Sequence, residues 1–192
     1  MVWIIFSLFG SLPYMIGNTI PSFADAFFET MSGFTTTGAT ILDNIESLSH
    51  GLLFWRSLTQ WIGGLGIVFF TIAVLPIFGG GTIQLFSAEA IGVTHDKTHP
   101  RIDVMAKWLW MIYAILTIAE TVLLMIGGMS FFDAVCHSFS TTATGGYSTK
   151  QASVAYWNSP FIEYVIAIFM ILSGINCLLY TSPSPRDLST SR

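Results

Sequence analysis

Two short polar segments, Met31–Leu42 and His137–Thr149, contain the residues of this sequence best suited to chemistry. They read "MSGFTTTGATIL" and "HSFSTTATGGYST" and combine hydroxyl side chains with glycines. Glycine permits backbone conformations that turn successive carbonyls toward one axis, and threonine adds hydroxyl oxygens without net charge. Because a ring of carbonyl oxygens can replace the water shell of a cation, the segments suggest the lining of a cation path.

A structural explanation competes with this one. Serine, threonine and glycine are also the common small residues of closely packed membrane helices, so "TTTGAT" alone does not decide between the two. The presence of two such segments at matched positions favours the cation path.

Composition indicates that the bilayer is the solvent. Charged residues make up 9% of the chain and hydrophobic residues 53%, with a mean hydropathy of +0.68. Three charge-free runs, at 1–24, 57–88 and 164–185, reach the length of about 20 residues that a spanning helix needs. A fourth, Trp108–Phe132, is interrupted only by Glu120.

The chain contains an internal repeat. Residues 22–40 align with residues 130–148 at an offset of 108 without a gap. The identical pairs are Ser22/Ser130, Phe23/Phe131, Asp25/Asp133, Ala26/Ala134, Ser32/Ser140, Thr36/Thr144 and Gly38/Gly146. This spacing suits a duplicated membrane unit.

Each polar segment follows a predicted short helix, over 22–33 and 130–141. The helices begin with "SFAD" and "SFFD", in which serine caps the helix and aspartate bonds back to the backbone N–H of the capping residue. Twelve residues of helix are about 18 Å long, against a hydrocarbon core of about 30 Å. We therefore expect re-entrant helices whose negative C-terminal ends favour cations.

The predicted fold is an all-α integral membrane protein with two helix–pore-helix–helix repeats and re-entrant filter segments. Its parts are a first repeat at 1–78 (pore helix 22–33, filter 35–40, span 52–78), a connection at 79–106, and a second repeat at 107–176 (pore helix 130–141, filter 143–148, truncated span). Lys97, Arg101 and Lys107 predict that the connection is cytoplasmic or interfacial.

Several stretches give the chain a family resemblance from about Ile5 to Asn176. They are "DAFFETMSGFTTTGAT", "FWRSLTQWIGGLGI", "LPIFGGGTIQLFSAE", "FDAVCHSFSTTATGGYST" and "SPFIEYVIAIFMILSGIN". The chain resembles the TrkH/KtrB members of the Trk/Ktr/HKT superfamily of potassium transporters. The resemblance implies that four repeats surround one pore. It also implies that Thr36, Thr37, Gly38 and Ala39 form the first filter strand, with Thr144, Gly145, Gly146 and Tyr147 as the second.

The resemblance also implies an activity and partners. These are potassium uptake across a bacterial plasma membrane, a homodimer of the full-length protein, and a cytosolic regulatory subunit that binds nucleotides. Potassium is the substrate, and no cofactor, nucleic acid or enzymatic activity is expected. Related filters carry sodium when the filter glycine is serine, and Gly38 and Gly146 are both glycine here.

Two repeats cannot close a fourfold filter, so we expect a fragment of a longer protein. A non-conducting membrane assembly fragment is the alternative. The tail at 177–192, "CLLYTSPSPRDLSTSR", resembles a translated sequencing adaptor and is treated as non-native, with a short disordered tail as the alternative.

Glu120 and three glycines allow two interpretations each. An intramembrane acid suggests a proton or cation relay, whereas a neutral, hydrogen-bonded or paired glutamate is the structural alternative. The favoured interpretation of Gly63, Gly64 and Gly66 is close contact between helices. The alternative is a flexible point beside the pore.

Other residues that could carry chemistry receive structural interpretations. His95 and His99 have a metal-type spacing, but Pro100 predicts a solvated loop over 95–103. Cys136 and Cys177 are interpreted as buried free thiols. An intramembrane hydrolase using Ser32 or Ser173 lacks a histidine base, since His137 is expected to pack or hydrogen-bond.

Overall fold

The computed structural model describes residues 2–66 and 99–181, and the regular structure in these ranges is helical. The helices are α1 (Val2–Gly10), α2 (Leu12–Ile16), α3 (Phe23–Phe34), α4 (50–66 in its described part), α5 (His99–Ile126), α6 (Phe131–Thr142) and α7 (Pro160–Thr181). Two 3-10 turns occupy Ile45–Ser47 and Ser153–Trp157. The all-helical part of the prediction is therefore confirmed.

The helices pack in two groups, one for each copy of the sequence repeat. Helices α1 and α2 pack against α3, whereas α5, α6 and α7 pack against one another. Helix α4 joins the groups, because Gly63 abuts the Phe34 carbonyl of α3 while Gly64 faces Tyr113 of α5 and Ala143 beyond α6. Gly66 packs against Trp3. The close helix contact predicted for these glycines is confirmed.

The two short helices lie within one residue of their predicted bounds. At the second, Ser130 Oγ accepts from the Asp133 N–H at 3.2 Å and donates to Asp133 Oδ2 at 2.7 Å. Ser22 occupies the same capping position before α3, but its side chain makes no capping hydrogen bond. The cap prediction was wrong there: Ser22 has ψ of 124°, against 153° at Ser130, although both residues are exposed.

The first apolar run does not form one helix. Helix α1 ends at Gly10 and α2 covers Leu12–Ile16, so the single helix expected within the charge-free run 1–24 is interrupted at Ser11. Pro13 has no N–H, and its ring clashes with the carbonyl four residues earlier, which explains a break near Ser11.

The connection between the repeats also differs from its prediction where it is described. Helix α5 begins at His99, so residues 99–103 are helical and not a loop. Pro100 lies in the first turn, where a missing N–H removes no helical hydrogen bond. Residues 67–98 lie outside the described residues. They include His95 and the end of the predicted span 52–78. Helix α7 continues to Thr181, inside the segment that the sequence sets apart as a tail.

Polar residues occupy much of the interior, and large apolar residues face outward. Buried polar side chains include Ser7, Thr30, Thr59 and Gln60, each 0% exposed. The outward apolar side chains include Ile5, Phe9, Ile115, Ile118, Val122, Ile168 and Ile171. Within the ranges that the structure describes, no helix combines the length and apolarity needed to cross a membrane.

Candidate cation-filter site

The two glycine-containing segments have the same backbone conformation. Thr36 and Thr144 both have φ of 53°, and two residues later Gly38 and Gly146 have φ of 75° and 84°. These are left-handed values that L residues rarely adopt, and they alternate with residues outside that region. The sequence repeat is therefore also a repeat of backbone geometry.

The hydrogen bonds that close the preceding helices repeat as well. The Thr36 N–H donates to the Gly33 carbonyl at 3.0 Å, and the Thr144 N–H donates to the Thr141 carbonyl at 2.8 Å. In the next bond of each copy, Thr37 N donates to the Ser32 carbonyl and Gly145 N to the Ser140 carbonyl. These bonds use the last helical carbonyls and direct each chain out of its helix.

The segments meet at Gly38 and Gly145. A Cβ on Gly38 would overlap the carbonyl oxygen of Gly145, so the two backbones touch at this point. A Cβ on Gly145 would lie 2.5 Å from Oε1 and 2.6 Å from Nε2 of Gln60. In contrast, a Cβ on Gly146 would meet no described residue within 4 Å other than its chain neighbours.

The eight residues predicted as filter differ in exposure. Thr37, Ala39, Thr144 and Gly146 are exposed, Thr36 and Gly38 are half-buried, and Gly145 and Tyr147 are buried. Each segment thus presents only part of its length to open space.

Ala39 and Tyr147 make contacts that differ from those of the other predicted filter residues. The Ala39 carbonyl accepts from Ser32 Oγ at 2.6 Å and from the Tyr147 hydroxyl at 3.2 Å. The same Tyr147 hydroxyl lies 3.0 Å from the Glu29 carbonyl. These bonds tie the first segment to the second and hold the Ala39 carbonyl against protein.

A buried ion pair lies behind the segments. Arg56 Nε donates to Glu29 Oε1 at 2.7 Å, with the two side chains 2% and 0% exposed. Glu29 also accepts from Thr40 Oγ1 at 2.9 Å and from Ile41 N at 3.1 Å, just after the first segment.

Arg56 also reaches the second segment. Its Nη1 donates to the Ser148 carbonyl at 3.1 Å, and its guanidinium carbon lies 3.9 Å from the centroid of the Tyr147 ring. One α4 side chain therefore contacts both repeats. No motif in the sequence pairs Arg56 with Glu29, although both are charged residues of a charge-poor chain.

His137 occupies the position of the second repeat that matches Glu29. Its Nε2 lies 3.0 Å from Ser148 Oγ, and Ser148 is the counterpart of Thr40. Its Nδ1 lies 2.8 Å from the Asp133 carbonyl. The expected packing and hydrogen-bonding role of His137 is confirmed.

The other residues that could carry chemistry are Glu120, Cys136 and Ser32. Glu120 is 0% exposed beside Thr141 and Thr142, and its carboxylate oxygens make no hydrogen bond to a described residue. Cys136 is a buried free thiol, as predicted. The Ser32 hydroxyl is bonded to the Ala39 carbonyl, so the hydrolase hypothesis gains no support.

Comparison with known proteins defines the class. The family model of TrkH, described as a cation transport protein, matches residues 1–182. The chain therefore belongs to the TrkH family of cation transport proteins, which confirms the resemblance found in the sequence and the prediction that the chain is not an enzyme.

Individual relatives are similar over nearly all of the chain. The Trk system potassium uptake protein TrkH of Salmonella typhimurium is 47% identical over 95% of this chain, and the potassium uptake protein TrkG of Escherichia coli is 41% identical over 94%. The crystal structure of the potassium transporter TrkH from Vibrio parahaemolyticus matches 89% of the chain with a TM-score of 0.76 and 41% identity. The chain spans 38% of the length of each of these two curated relatives and 34% of the crystallised chain.

Proposed function

We propose that this chain contributes two filter segments to a protein that takes up potassium across a membrane. The observation that carries the proposal is the repeated backbone of the two segments, with left-handed residues at Thr36, Gly38, Thr144 and Gly146. Membership of a cation transport family supports it.

The alternating backbone suits a row of cation ligands. In an extended strand successive carbonyls point to opposite sides, whereas alternation with left-handed residues brings them toward the same side. Neutral carbonyl oxygens can then replace water around a cation without binding it too tightly to leave. Among the eight predicted residues, we assign Ala39 and Tyr147 to holding the segments together and the others to lining the path.

The short helices add an electrostatic contribution. Helices α3 and α6 end at Phe34 and Thr142, directly before their segments. The C-terminal end of a helix carries roughly −0.5 of an elementary charge, which favours a cation and disfavours an anion.

We propose that a lipid bilayer surrounds this chain. Outward apolar and inward polar side chains reverse the usual arrangement of a water-soluble protein. Backbone that leaves helical form at membrane depth is tolerated where it lines a water-filled path, which agrees with re-entrant segments in a multi-pass protein of a bacterial plasma membrane. The family resemblance supports two further proposals, a homodimer and a cytosolic nucleotide-binding regulatory subunit.

A second candidate function follows from the length comparison. The chain spans 38% of its curated relatives, and two segments make half of a fourfold ring. The chain by itself then serves as a non-conducting part of a membrane assembly.

Potassium flux into proteoliposomes tests both. We expect potassium flux through a full-length protein that contains this sequence. We expect no potassium flux through residues 1–192 alone. Absence of potassium flux from the full-length protein would refute the transport proposal, and flux through the isolated chain would refute the non-conducting role.

A further inference from the structure

Gln60 lies behind the point where the two segments meet. It is 0% exposed and follows Arg56 by one helical turn, so both side chains leave α4 on the same face. Its amide is close to Gly145, and a Cβ on Gly38 would lie 3.8 Å from its Nε2.

The amide oxygen of Gln60 holds the second segment. Oε1 accepts from Ser140 Oγ at 2.7 Å and from the Tyr147 N–H at 3.2 Å. A backbone N–H can only donate, so the bond from Tyr147 fixes which end of the amide is oxygen. Ser140 belongs to α6, so Gln60 joins the helix end and the segment that follows it.

This bond also sets the direction of a carbonyl. The N–H of Tyr147 and the C=O of Gly146 belong to one planar trans peptide, in which the two groups point in opposite directions. Because the N–H points back to buried Gln60, the Gly146 carbonyl points away from α4. Gly146 is exposed, and among the described residues none beyond its chain neighbours lies within 4 Å of the position its Cβ would take.

The second repeat has no equivalent of Gln60. The position 108 residues later is Ile168, which is 53% exposed. The first repeat therefore supplies the side chain that orients the filter segment of the second.

We propose that Gln60 is a positioning residue that aims the Gly146 carbonyl into the ion path and thereby sets the preference for potassium over sodium. The selectivity part rests on the proposed transport function. The orientation part rests on the hydrogen bonds alone, so it has a test of its own.

The orientation is tested by amide hydrogen exchange at Tyr147 in the full-length protein. Gln60→Leu removes the acceptor, and we expect exchange at Tyr147 to rise about five- to tenfold, the effect of losing one net hydrogen bond. Gln60→Glu keeps an oxygen at the same place and should preserve the protection. Ser57→Ala is the matched control, because Ser57 is buried in α4 and its hydroxyl donates to the Leu53 carbonyl of the same helix. Unchanged protection of Tyr147 in Gln60→Leu would overturn the proposal whether or not the protein transports ions.

The consequence for selectivity is measured by the ratio of potassium to sodium permeation. We expect Gln60→Leu to lower this ratio about fivefold or more, since loss of a single net hydrogen bond corresponds to that factor. Gln60→Glu and Ser57→Ala should stay within about twofold of the parent. If Gln60→Leu accelerates exchange at Tyr147 but leaves the ratio unchanged, the selectivity role is wrong while transport itself stands.

Discussion

Thr36 and Thr144, 108 residues apart, have the same left-handed backbone with φ of 53°. Each adopts this unfavourable conformation one residue after the C-cap of a short helix. In each copy a left-handed glycine comes two residues later. A non-glycine residue held this way costs of order 1–3 kcal/mol and persists only where its surroundings require it. The two segments therefore share the same strained backbone conformation.

Gly38 and Gly146 should respond differently to alanine. Gly146→Ala is expected to lower the free energy of unfolding by about 1–2 kcal/mol, because only the left-handed backbone opposes it. Gly38→Ala should lose clearly more, since its methyl group would also overlap the Gly145 carbonyl. Thermal unfolding of the purified full-length variants measures both, and equal losses would contradict the close contact of the two segments.

The buried pair of Arg56 and Glu29 should be costly to break on one side. Glu29→Gln or Arg56→Gln is expected to destabilise the protein by about 3–5 kcal/mol, because the remaining charge is left buried without its partner. The double variant should lose less than the sum of the single variants. Chemical denaturation measures the coupling.

Glu46→Gln is the control for that pair. Glu46 is exposed, so its change should fall within about 0.5 kcal/mol. Strict additivity of Glu29→Gln and Arg56→Gln would contradict the pairing.

Gly63 and Gly51 form a matched comparison within α4. A Cβ on Gly63 would overlap the Phe34 carbonyl, whereas a Cβ on Gly51 would have no contact within 4 Å in the described part of the chain. Gly63→Ala should therefore destabilise the protein, and Gly51→Ala should be neutral or stabilising by up to about 1 kcal/mol through helix propensity. The melting temperatures decide, and a neutral Gly63→Ala would disprove the close packing of α4 on α3.

The Tyr147 hydroxyl should contribute to holding the segments together. Tyr147→Phe removes its bonds to the Ala39 and Glu29 carbonyls and is expected to cost about 1 kcal/mol of unfolding free energy. Tyr156→Phe is the control, because Tyr156 is 54% exposed. Equal stability of the two variants would show that the hydroxyl bonds contribute nothing.

Local features of the site could be predicted from the sequence. Seven identities at one offset revealed the duplication, and serine–aspartate starts placed α3 and α6 to within one residue. The capping signal lies within a few residues of the helix that it predicts, whereas the duplication is visible because the two copies keep the same residues at the same spacing. The same local signal failed at Ser22, which occupies the capping position but makes no side-chain bond to the helix.

Contacts between distant residues could not be predicted in this way. Arg56 bonds to Glu29 across 27 residues and to Ser148 across 92, and Gln60 bonds to Tyr147 across 87. No periodicity or spacing encodes these pairs, since they depend on how α4 packs between the repeats. The break near Pro13 is a local feature, because the proline itself removes a helical hydrogen bond.

The most direct test of the central claim is the potassium-to-sodium permeation ratio of Gly146→Ser in the full-length protein. Serine at this position has room for its side chain, so the variant can fold, yet it changes the filter backbone that we propose contacts the ion. We predict that the ratio falls about tenfold, with potassium no longer preferred to the same degree. An unchanged ratio in a folded, conducting Gly146→Ser protein would contradict the assignment of the two segments as a cation filter.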